Sequence, residues 1–64
     1  MDQDRVRVFI VLGPLDNVTW TYSPVVYRWR ARDMCRDFAT GTQWMGLPVL
    51  RALIVDYPKQ ETAT

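Results

Sequence analysis

Arg5-Val-Arg-Val-Phe-Ile-Val-Leu12 is the stretch that decides the fold class. Val6, Val8, Ile10 and Leu12 fall on one side of it, and Arg5, Arg7, Phe9 and Val11 on the other. A period of two in a run rich in β-branched residues defines a strand. Gly13-Pro14-Leu15-Asp16-Asn17 then gathers turn residues, since Gly and Asn accept positive φ and Pro fixes its own. Val18 to Tyr22 alternates again, with Val18, Trp20 and Tyr22 on one face and Thr19 and Thr21 on the other. Two alternating runs joined by so short a link form a hairpin. By position Trp20 and Tyr22, like Met34 further on, read as core rather than as a ligand box.

Beyond the hairpin, Ser23-Pro24 has the form of a helix start. Ser caps free amides, and Pro suits the first helical position, where its missing N–H costs nothing. The spacing predicts a helix from Pro24 to about Ala39, ended near Thr40-Gly41 by a left-handed Gly cap. At 100° per residue Tyr27, Ala31, Met34, Cys35 and Phe38 gather into one apolar stripe, which should lie on the sheet. Thr42 to Met45 reads as a short strand or an extended loop, broken by Gly46-Leu47-Pro48. Val49 to Tyr57 is a strand apolar on both faces: Leu50, Ala52 and Ile54 on one, Val49, Leu53, Val55 and Tyr57 on the other. Pro58 ends it, and 59–64 is a polar tail. Residues 1–58 therefore form one α+β domain of order β-β-α-β. One helix packs on one face of an antiparallel sheet of strand order 2-1-3, in which the last strand pairs beside the first and the first is central, as suits its apolar character.

Gly46-Leu-Pro-Val-Leu-Arg-Ala-Leu-Ile-Val-Asp-Tyr-Pro58 resembles a strand segment of family 31 glycoside hydrolases. That resemblance implies a piece of a much larger barrel, with the family's catalytic carboxylates outside this sequence. A strand bracketed by prolines also produces such a string by chance. The initial Met, the self-contained hairpin and helix, and the polar tail read as a complete protein.

Composition narrows the chemistry. The chain has 64 residues, with 48% apolar and 23% charged, which suits one small globular core. It has no His and a single Cys, so the usual general base, the main zinc ligand and any internal disulfide are missing. Asp33 and Asp37 share a helix face, but beside Arg30 and Arg36 they read as a solvated, charge-paired surface. Cys35 lies on the apolar stripe as an inert thiol. The glycines at 13, 41 and 46 are too scattered to cradle a phosphate. No catalytic residue, metal site, cofactor or small-molecule substrate is expected. The acidic start Met1-Asp2-Gln3-Asp4 does not fit a signal peptide, and no apolar run is long enough to cross a membrane. The expected location is cytoplasmic.

Two surfaces invite a partner. Arg28, Arg32 and Arg36 are spaced i, i+4, i+8, with Trp29 beside Arg36 on the helical wheel. Arg with an aromatic is the composition of protein hot spots and of nucleic-acid platforms alike. The second surface follows from the architecture, because one helix covers only one sheet face. Phe9, Val11, Leu53, Val55 and Tyr57 are left on the other, as a self-association face. The leading expectation is a non-enzymatic accessory or regulatory module that binds a protein partner or itself, of a size common among phage and bacterial accessory proteins. The alternative is a nucleic-acid-binding module using the Arg/Trp stripe, with Arg5 and Arg7. The formal net charge of only +1 and a pI near 7.9 place that alternative second.

Overall fold

A computed structural model describes residues 4–57. The elements run β1 (Arg5–Leu12), β2 (Thr19–Tyr22), β3 (Val26–Tyr27), α1 (Arg28–Ala39) and β4 (Val49–Asp56). β1 is central: β2 and then β3 pair antiparallel along its length, and β4 pairs antiparallel with it too. The α+β class, the central first strand and the single helix on the sheet agree with the sequence pattern, and β3 is a two-residue addition to it. The polar tail and Pro58 lie outside the described residues.

The core follows from the alternation of β1. Val6, Val8, Ile10 and Leu12 are buried, and they meet Ala31, Met34 and Phe38 of α1. The linker behaves as a turn, with the Asn17 amide donating to the Pro14 carbonyl at 2.9 Å. Gly13 serves by lack of bulk, because a Cβ there would stand 3.2 Å from a Leu50 methyl and 3.3 Å from the Pro48 ring.

Two one-residue insertions set the side-chain directions. The first lies at Ser23-Pro24-Val25. Phe9 pairs with Tyr22, but Val6 pairs with Val26, so the outer strand gains one residue. Ser23 holds the bend: its amide donates to the Val8 carbonyl, and its hydroxyl accepts from the Val8 amide, each at 2.9 Å. Pro24, with no N–H, sits where no ladder bond is asked of it. The chain thus stays extended through Val26-Tyr27, and the helix begins at Arg28 rather than Pro24. Ser23 is not its cap; the N-cap is Tyr27, with no side-chain cap hydrogen bond. Tyr27 accordingly leaves the core stripe and is exposed.

The second insertion is in β4. Val11 pairs with Arg51, but Leu12 pairs with Val49. The bulge at Leu50 reverses the expected faces at that end. Val49 joins Ala52 and Ile54 against the core, while Leu50 is partly exposed.

The helix ends where expected. The Gly41 amide donates to the Phe38 carbonyl and the Thr42 amide to the Asp37 carbonyl, with Gly41 at φ 112°. This paired return of amides to carbonyls is a Schellman cap, which needs a left-handed residue. Residues 42–47 form no strand. Trp44 and Leu47 exchange backbone hydrogen bonds around Met45 (φ 54°) and Gly46 (φ 77°), a two-residue turn. This turn swings the Trp44 ring edge-on to Phe38, 6.0 Å between centroids. Trp44 therefore closes the end of the core.

Candidate interaction face

The odd-numbered residues of β1 point away from the helix, and pairing assembles a grid around them. Val11 lies between Trp20 and Arg51, Phe9 between Tyr22 and Leu53, and Arg5 opposite Tyr27. Arg7 pairs with Val55 on β4, and the Tyr57 amide reaches the Arg5 carbonyl at 3.1 Å, extending the ladder by one residue. The sequence-predicted group Phe9, Val11, Leu53, Val55 and Tyr57 is thereby brought onto one sheet face.

Trp20 and Tyr22 join this face, contrary to their expected place in the core. Register is the reason: residues directly opposite share a face, and theirs are opposite Val11 and Phe9. Phe9, Trp20 and Tyr22 form a cluster with ring centroids 5.4 to 5.8 Å apart. Trp20 nevertheless stays 60% exposed. Packing rings together while leaving the largest in water orders the cluster without burying it.

The arginines of β1 are laid on rings. Arg5 stands 4.8 Å from the Tyr27 centroid, and Arg7 lies 4.7 Å from Tyr22 and 5.3 Å from Tyr57. Such cation–π seats fix a guanidinium without neutralising it. The alternation of β1 was the sequence signal that Arg5 and Arg7 share a face with Phe9. Their ring partners come from β2, β3 and the end of β4, which only the register supplies.

The helix stripe sits apart from this face. Arg28 is ion-paired to Asp56 at 2.8 Å, and Arg36 approaches Asp33 at 3.9 Å. Arg32 is exposed, and Trp29 is 64% exposed. The stripe is therefore accessible, but two of its three arginines face carboxylates of the same chain.

Elsewhere, a cavity of about 230 Å³ lies between the second half of α1 and the start of β4, with Cys35, Phe38 and Val49 among its walls. It is smaller than an ordinary ligand pocket. Cys35 is half-buried, and burial pushes its thiol pKa up, away from nucleophilic use. Among the described residues no three His, Cys, Asp or Glu side chains come together, and no helix is long and apolar enough to cross a membrane. Among the described residues, the segment that resembles a glycoside hydrolase strand supplies Gly46 of the turn before β4 and then β4 itself, a strand of an antiparallel sheet. No protein-family model, curated protein or solved structure matches this chain.

Proposed function

We propose that the protein is a small, non-enzymatic, cytoplasmic interaction module whose working surface is the sheet face opposite the helix. The observation that carries this reading is the Phe9–Trp20–Tyr22 cluster, ordered by its own ring contacts yet led by a Trp that is 60% exposed. Cross-strand ring pairs support the sheet, but they leave most of the Trp20 side chain in water, which a purely structural role does not require. Trp, Tyr and Arg are the residue types that dominate hot spots. The helix stripe supports a docking role less well, since Asp56 and Asp33 already engage Arg28 and Arg36.

The test places a photo-crosslinking benzoylphenylalanine at position 20 or at position 29 and irradiates the protein in its host. A discrete high-mass adduct from position 20 and none from position 29 supports the sheet face. Adducts from position 29 alone move the site to the helix. Self-association is a second reading, favoured by the apolar Leu53 and Val55 on the same face. Sedimentation equilibrium tests it: a mass above 7.5 kDa at micromolar concentration, lost in Trp20→Asp, supports a second copy on this face.

A further inference from the structure

The near-neutral net charge hides a segregation. Among the described residues, the strand positions facing away from the helix hold Arg5, Arg7 and Arg51 and no carboxylate. Asp56 has the other parity: it pairs with Val6 and reaches over to Arg28. Asp33 and Asp37 are on the helix. Two of the three guanidiniums rest on tyrosine rings. Arg7 is flanked by two tyrosine rings, and Arg5 gives one N–H to the Tyr27 hydroxyl at 3.5 Å, yet a guanidinium has five such donors and keeps others for an anion, while the exposed rings can stack on a base.

We infer that this face binds single-stranded nucleic acid, with bases stacked on the exposed rings led by Trp20 and phosphates held by Arg5, Arg7 and Arg51. The inference rests on the sheet face being the working surface and adds the chemistry of its partner. Charge separates the possible occupants. A second copy seated face to face would press six guanidiniums together, three from each copy, with no carboxylate from either face to offset their desolvation. A phosphate backbone supplies that compensation. Duplex DNA supplies phosphates too, but its bases are stacked on one another and closed to these rings. Stacking reads no base edge, so binding should tolerate any sequence.

The experiment is fluorescence anisotropy of labelled dT12 and U12 oligonucleotides with the full chain, run across a salt series. Both oligonucleotides should bind. The log–log salt slope should be about −2, from three phosphates at roughly −0.7 each. A 12-base-pair duplex should bind at least about tenfold more weakly. Trp20→Ala and Arg7→Gln, each checked for folding by circular dichroism, should each lower affinity about tenfold, the first by loss of a stacking partner and the second by loss of a phosphate contact. Arg32→Ala should leave it unchanged. No binding of either oligonucleotide at low salt, where phosphate contacts are strongest, overturns the nucleic-acid assignment. A concentration-dependent mass lost in Trp20→Asp would then leave the face standing with a second copy as its occupant. Binding that survives Trp20→Ala and Arg7→Gln but is lost in Arg32→Ala overturns the face itself.

Discussion

At Ser23 a hydroxyl takes the place of a backbone carbonyl. β1 needs an acceptor for the Val8 amide where the neighbouring strand jogs outward, and Ser23 Oγ supplies it at 2.9 Å. The same oxygen donates to the Pro24 carbonyl at 2.9 Å. Ser23→Ala leaves a buried amide without a partner, so it should cost about 1–3 kcal/mol. A urea titration measures this, and a loss below about 0.5 kcal/mol would show that the bond contributes little. Cys35 makes a different single-residue case. Burial favours the neutral thiol, so its folded pKa lies above its unfolded one. Any stability this contributes is present below the unfolded thiol pKa and is lost as pH rises through the folded one. At neutral pH the folded protein should therefore react with a thiol reagent such as dithionitrobenzoate more slowly than the urea-unfolded chain does. Equal rates would mean that the side chain is freely exposed.

The elements differ in how well their own residues support them. β1 carries its amphipathic pattern from end to end. The start of α1 does not look like a helix start: its first turn contains Arg28 and Arg30 and no acid, and no side chain caps it. The positive end of the helix dipole disfavours those cations. Asp56 relieves the conflict from outside the helix by pairing with Arg28. Arg30→Glu should accordingly stabilise the fold by about 0.3–1 kcal/mol. Thermal melts at low salt would register the gain, and added salt should shrink it. The turn after the helix holds a comparable strain. Met45 adopts φ 54° while 77% exposed, so it accepts a left-handed backbone and gains little burial in return. Met45→Asn should raise stability by up to about 1 kcal/mol, because Asn tolerates this conformation and Asn-Gly suits such turns. An unchanged or lowered melting temperature would indicate that Met45 makes a contact that offsets the strain.

Across the whole molecule, one helix can bury only one side of a sheet, and that asymmetry divides the aromatic residues by role. Phe38 and Trp44 close the core beneath the helix. Trp29 stands out on the far side of the helix, and Trp20 stands out from the open sheet face. Phe38→Ala should thus cost about 3–5 kcal/mol, the range for a buried large aromatic. Trp29→Ala should stay within about 0.5 kcal/mol, as surface substitutions do. Chemical denaturation of the two variants side by side checks this. A severe loss at Trp29 would make the helix stripe a structural element rather than an accessible surface.

Short-range pattern carried much of this molecule. The period of two in Arg5–Leu12 placed four side chains in the core. The turn residues after it marked a hairpin, and Gly41 marked the helix end. Those features depend on a few neighbouring residues and the backbone angles they allow. The same pattern made the face of Phe9, Val11, Leu53, Val55 and Tyr57 legible, because alternation within a strand survives wherever the strand is regular. Register was not legible. One inserted residue at Ser23–Val25 keeps Tyr27 out of the helix, and another at Leu50 turns Val49 into the core. Trp20 and Tyr22 likewise go to the open face because of what they pair with. A strand's alternation says which residues share a side, but not which side that is. Only pairing against β1, whose own inward face is chosen by the helix above it, decides that, and with it which aromatics and arginines form the candidate site.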